Sequence, residues 1–293
     1  MNRFDPSEDF DDAGALDALG LNTRLKSYPD FAVEIPALKA GYLQYVAASG
    51  NAHAILNVAL PDPIKAQLKS LYASPSNELP HINRMRAESD ANCCPMCGSF
   101  HSGTLDHLLP KTDFPAFAIF GRNLVPACKC NSKRSTLLTG PNPGERILHP
   151  YYDDILGERL FVAWFEDPGK VPRITLRPLL DAVDPNYTAV RFHMANIVER
   201  TSIMRYLKAS WMGMLRRPSL AAAELRNVPA TRQDLDDILT LELDRQDDTH
   251  GSRNNWRSVF IAGLLDDPVL DWLIAAFQRP NYQPDGPLLD GIV

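Results

Sequence analysis

All five cysteines of this 293-residue chain fall between Cys93 and Cys130, and no other feature of the sequence restricts the fold as much. A disulfide framework would spread its cysteines through a small secreted domain, whereas short pairs in a reducing compartment favour a metal site. Cys94 and Cys97 form one knuckle in "CPMCG", and Cys128 and Cys130 form a second in "CKC". Two knuckles separated by a structured insert are the usual way a chain supplies four ligands to a tetrahedral zinc. The one-residue gap of "CKC" is tighter than the usual two, so Cys93 and His101 remain open as substitutes for one ligand. Such a zinc would be structural, tying the start of a short segment to its end.

Composition adds limits. With 45% hydrophobic and 23% charged residues the chain is of ordinary globular type, long enough for one large core or two smaller ones. No run of eighteen apolar residues occurs, and the acidic start "MNRFDPSEDFDD" does not read as a secretory signal. A cytoplasmic protein with no membrane partner is expected. The formal net charge of −6 argues against general adhesion to nucleic acid, yet Arg84–Ser135 holds seven basic and four acidic residues. The one basic region therefore coincides with the cysteine segment.

Residues 1–30 read as a poorly anchored acidic arm with one short helix at "AGALDALG". Residues 31–83 read as helical: Leu38, Tyr42 and Tyr45 share one face with Pro36 near a first turn, and Ile64, Leu68 and Leu71 share another. Residues 84–150 form the cysteine segment. In 151–293, "RLFVAWFEDPGKVPRITLRPL" predicts a β-hairpin turning at Pro168 and Gly169, and helices follow. Their stripes are Val190, Met194, Ile197 and Val198, then Met204, Leu207, Trp211 and Met214, then Leu235, Ile238, Leu239 and Leu243 behind a Thr231/Asp234 cap, with two short helices around Pro268. The expected fold class is α+β, predominantly helical, with a small zinc-stabilised unit and an additional hairpin. Helical stripes of aromatic and Met residues are read as core, and His53, His81, His193 and His250 as ordinary surface or core histidines.

Between the knuckles the order is strand ("TLDHLLP"), loop, strand ("NLVPA") and helix start ("CKCNSKRS"). Phosphodiester hydrolysis needs a base to activate water, a cation to stabilise the transition state, and a group that orients the base. His107 suits the base, Asp106 and the Asn131 amide oxygen suit a hard divalent cation, and Asn123 suits the orienting group for the loop or the ring. Lys111, Lys133 and Arg134 are candidate phosphate contacts. His149, Tyr151 and Asp153 of "HPYYDD" follow downstream.

At Cys94 and Cys97, Asp106 and His107, Asn123 and Leu124, and Cys130, Asn131 and Lys133, the sequence resembles the His-Asn-His (HNH) endonucleases, the ββα-metal nucleases. It resembles the variant with asparagine in the third signature position, and the resemblance covers about Cys93 to Ser135. It implies one catalytic metal, Mg2+ or Mn2+, a structural Zn2+, and hydrolysis of DNA more than of RNA. From the habit of such nucleases it also implies a bacterial defence or toxin role. The acidic remainder suggests a regulatory protein partner. A zinc-stabilised nucleic-acid or protein binding module without catalysis is the alternative.

Overall fold

The computed structural model describes residues 1–4, 10–87, 92–169 and 172–289. Glu88 and Asp90 of the basic segment, and Lys170 and Val171 beside the expected hairpin turn, lie outside the described residues. The architecture is α+β: about half helical, with two antiparallel two-stranded sheets among the described residues.

Four helices build the N-terminal layer: α1 (Asp12–Leu21), α2 (Asp30–Ala47), α3 (Asp62–Ala73) and α4 (Pro80–Ala87). The predicted faces are the buried ones, Leu38, Tyr42 and Tyr45 on α2 and Ile64, Leu68 and Leu71 on α3. Pro36 is inside α2 rather than in its first turn, because the helix already begins at Asp30. Without an N–H it leaves one intrahelical carbonyl unbonded, a loss that packing of the buried stripe offsets.

The N-terminal arm is anchored, contrary to expectation. Leu16 and Leu19 of α1 are buried in the same core as α2, and Asp12 Oδ1 accepts the Gly121 N–H at 3.0 Å. Met1 is buried in the C-terminal core, where its amino group donates to the Asn254 carbonyl at 3.1 Å. Acidic composition alone does not reveal that two leucines and one methionine find apolar partners far along the chain.

The cysteine segment contains β1 (Thr104–His107) paired antiparallel with β2 (Leu124–Ala127), in register Asp106↔Val125 and His107↔Leu124. The short helix α5 (Cys130–Lys133) follows. Strands this short have no apolar face large enough to stand alone. The loop between them supplies the missing burial: Ala116, Phe117, Ile119 and Phe120 join the core of the N-terminal helices. Tyr42 stacks on Phe120 with ring centroids 4.1 Å apart, and Tyr45 meets the same ring edge-on at 5.2 Å. The hairpin loop of 84–150 thus packs into the core of the helices of 31–83, while Cys94, Cys97, Val125, Ala127 and Cys130 lie in a cluster of their own.

The C-terminal part opens with the predicted hairpin, β3 (Phe161–Glu166) and β4 (Arg173–Pro178). Helix α6 (Tyr187–His193) is continued by a five-residue π turn (Met194–Val198), α7 (Ile203–Arg216) packs on β4, α8 (Arg232–His250) packs against α9 (Trp256–Leu264), which lies on β3, and α10 (Asp267–Phe277) packs against α8 and α9. Trp211 is stacked between Phe165 (4.5 Å) and Trp272 (5.6 Å). Thr231 and Asp234 form the expected capping box at the start of α8.

Candidate metal centre and hairpin site

The thiols of Cys94, Cys97, Cys128 and Cys130 all lie within 4.8 Å of one another. A tetrahedral zinc with Zn–S bonds of about 2.3 Å requires sulfurs roughly 3.8 Å apart. Cys94 and Cys130 are separated by 3.8 Å and Cys97 and Cys128 by 3.5 Å, so the donor set fits a thiophilic dication such as zinc. Backbone N–H groups point at the sulfurs, from Cys128 to Cys94 Sγ (3.4 Å) and from Cys130 to Cys128 Sγ (3.3 Å). These contacts disperse the charge that four thiolates would carry. The tight "CKC" gap is accommodated because Cys130 is the first residue of α5, where the chain already curls. Cys93 and His101 stand outside the group: the Cys93 thiol is 3.6 Å from the Met1 amino group, and His101 is exposed.

The first knuckle is held by distant parts of the chain. Gly98 has φ +78°, and a Cβ there would approach the Asn254 carbonyl to 2.0 Å, so a side chain is excluded twice over. Trp256 Nε1 donates to the Cys97 carbonyl (2.8 Å), the Trp256 N–H donates to Gly98 (3.0 Å), and His193 Nε2 lies 2.7 Å from the Met96 carbonyl. His193 Nδ1 accepts the Leu148 N–H at 3.0 Å, which places the ring proton on Nε2. Burial drives its pKa down to about 4, as befits a neutral core imidazole. Nothing in the sequence near the cysteines signals Trp256, Asn254 or His193.

In the hairpin, His107 is 4% exposed and its Nε2 lies 2.9 Å from the Ala118 carbonyl. A carbonyl only accepts, so Nε2 carries the proton and Nδ1 keeps its lone pair, 4.0 Å from Asp106 Oδ1. Burial lowers the imidazole to about 4, so the ring is neutral at pH 7. Asp106 accepts the His107 backbone N–H at 2.7 Å and is partly exposed.

Asn123 is fully buried and spends its whole amide on the loop. Its Oδ1 accepts from the Leu109 N–H (2.8 Å) and the Tyr45 hydroxyl (3.2 Å), and its Nδ2 donates to the Leu109 (3.1 Å) and Phe117 (3.0 Å) carbonyls. Of the two roles expected for it, the structure gives it the loop and not the ring. Asn123→Ala should cost on the order of 3 kcal/mol, because four partners lose their bonds inside the core. Urea unfolding of wild type and variant measures this, and a difference below about 1 kcal/mol would contradict it.

Behind Asn123 stands His149, which the sequence placed only downstream. Its Nδ1 accepts the Tyr151 N–H (3.1 Å), so Nε2–H faces the Tyr45 hydroxyl (2.9 Å) and the Arg122 carbonyl (3.1 Å). Complete burial lowers its pKa to about 3. A histidine depressed below its unfolded value near 6.5 contributes stability that is full above that pH and drains away as pH falls toward 3. The linkage is worth on the order of 5 kcal/mol. The urea midpoint should accordingly fall between pH 6.5 and 4, less steeply in His149→Gln, and equal slopes for the two proteins would refute the assignment.

Asn131 is buried on α5, with Oδ1 3.4 Å from Arg134 Nε and Nδ2 without a hydrogen-bond partner among the described residues. Arg134 corrects the sequence reading. It is 2% exposed and its donors go to the carbonyls of Leu137 (2.8 Å), His107 (3.2 Å) and Leu108 (2.5 Å), so the guanidinium is an internal brace and not a surface presented to phosphate. It joins the α5 turn bearing Asn131 to the strand end bearing His107. Lys133 is exposed beside an open cavity of about 440 Å³ lined by His101, Lys129, Thr201 and Trp256. Lys111 is half-buried, with Nζ 4.4 Å from the centroid of the Tyr72 ring.

No family model and no solved structure matches the chain. A 67-residue stretch is 33% identical to Protein ea31 of Escherichia phage lambda, covering 22% of this chain and 23% of that one. The match therefore spans under a quarter of the phage protein's length. No helix among the described residues is long and apolar enough to cross a membrane.

Proposed function

We propose that the chain is a metal-dependent endonuclease of the HNH type acting on phosphodiester bonds in DNA, with Zn2+ on the four cysteines as a structural clamp. The observation that carries the reading is the state of His107. Its Nε2 is committed to the Ala118 carbonyl, and its unprotonated Nδ1 faces the side on which the Asp106 carboxylate lies 4.0 Å away. That is the arrangement a general base for water requires.

Asp106, with one oxygen on a backbone N–H, and Asn131, through the Oδ1 that lies 3.4 Å from Arg134 Nε, are the residues that would hold Mg2+ or Mn2+. When bound, that ion supplies charge stabilisation at the phosphate and the departing oxygen. His107 takes the water proton on Nδ1, Ala118 and the Tyr72 ring fix the imidazole, Asn123 fixes the loop that carries Ala118, and Arg134 fixes the spacing of α5 and β1. Lys111 and Lys133 are the cations left to meet phosphate. A role in bacterial defence rests on the resemblance alone.

Incubating the chain with supercoiled plasmid, single-stranded DNA and RNA, with and without Mg2+, tests this. Mg2+-dependent nicking that is lost in Asp106→Asn by about 100-fold or more is expected; cleavage of RNA only would move the substrate, and no cleavage of any would reject the enzyme. The deep burial of His107 favours the second reading, a zinc-stabilised binding module. That reading expects zinc and nucleic-acid binding with no response to Mg2+.

A further inference from the structure

We infer that Tyr72, contributed by α3 from outside the cysteine segment, is a positioning residue of this site: the face of its ring holds the Lys111 ammonium for a substrate phosphate beside Asp106, while the ring also packs the His107 imidazole. The inference rests on the nuclease reading and adds to it a residue that the resemblance does not cover.

Tyr72 is tied in place from several sides. Its hydroxyl donates to the Leu105 carbonyl of β1 at 2.5 Å, its own carbonyl accepts from Arg86 Nη2 at 2.5 Å, and the Arg86 guanidinium is 4.8 Å from the ring centroid. The ring meets His107 at 61° with centroids 4.1 Å apart. Lys111 Nζ is 4.4 Å from the same centroid, and among the described residues it makes no hydrogen bond or ion pair. Partial burial lowers the pKa of the ammonium, the Asp106 carboxylate acts against that, and Arg86 and Lys69 add to it. The choice of an aromatic partner has a physical meaning. A carboxylate would neutralise the ammonium and occupy its donors, whereas a ring face holds a cation and leaves its charge uncompensated and the N–H groups turned away from the ring available. A phosphate oxygen is the group that such an ammonium, next to a candidate cation-binding carboxylate, is equipped to receive.

The test uses the full chain without divalent ion, so that binding is read apart from turnover, with a fluorescein-labelled 30-base-pair duplex over a salt series. Lys111→Met is expected to weaken binding about tenfold at low salt and to flatten the plot of log affinity against log salt by about one unit. Tyr72→Leu should weaken binding about fivefold in the same direction although it removes no charge. The double variant should bind no more weakly than Lys111→Met alone, as two changes acting through one contact do. Tyr72→Phe, which keeps the ring face and loses only the hydroxyl's tie to Leu105, should weaken binding less than Tyr72→Leu, and Lys208→Gln at an exposed lysine elsewhere should bind as wild type. Thermal unfolding of each variant separates loss of fold from loss of contact. Additive losses, an unchanged salt slope in Tyr72→Leu, or equal impairment in Tyr72→Phe would overturn the inference while leaving the nuclease reading standing. A wild-type chain that binds no duplex at any salt would overturn both.

Discussion

Replacing Cys94 by serine is expected to abolish stoichiometric zinc in the purified protein and to unfold the hairpin segment, while the C-terminal core stays intact. The cause is geometric: three thiolates left around a dication lose one of four short bonds, and the cluster is what fixes the knuckle Cys94–Gly98 to the start of α5. Structural zinc contributes on the order of 10 kcal/mol to small metallo-domains, far more than the few buried residues around this cluster can replace. Strong chelation should act like the substitution. Limited proteolysis between Cys93 and Ser135, with elemental analysis alongside, reads both effects. Cys93→Ser is the control and should keep its metal, since that thiol faces the Met1 amino group and not the cluster. Full zinc content and unchanged protection in Cys94→Ser would dismiss the clamp.

His107→Gln should lower DNA cleavage by about 10²–10⁴-fold, the range a positioned general base supplies. Glutamine is chosen over alanine because His107 is 4% exposed and bonded to Ala118; an amide can still donate to that carbonyl, whereas alanine would leave a void against the Tyr72 ring. The melting temperature and zinc content should therefore stay close to wild type. Burial already holds the imidazole unprotonated at neutral pH, so the rate should not climb between pH 6 and 8 on account of this group. Cleavage by the glutamine variant at the wild-type rate would remove His107 as the base and leave Asp106 and its cation to be judged alone.

Local pattern carried much of the way. The faces of α2 and α3, the β3–β4 hairpin, the capping box at Thr231 and the strand–loop–strand–helix order from Thr104 to Lys133 all follow from periodicities and caps that act within a few residues. The four sulfurs that gather were also legible, though the choice among five cysteines and His101 was not. Arg134 was misread because an arginine next to a lysine after a helix start looks solvated until the carbonyls of Leu108 and Leu137 are seen to converge on it. The anchoring of Met1 and Asp12, and the support of the knuckle by Trp256 and His193, had no local sign at all.

The division has one physical source. Spacing along the chain determines which side chains share a helix face, which residues alternate on a strand and which cysteines can reach a common ion, because those distances are fixed by backbone geometry. Only the tertiary structure decided that the hairpin loop would complete the N-terminal core, that Asn123 would hold the loop rather than the ring, and that Tyr72 would stand against His107. Those contacts join residues far apart in the chain, and they form because buried amides, carbonyls and rings must find partners once water is excluded.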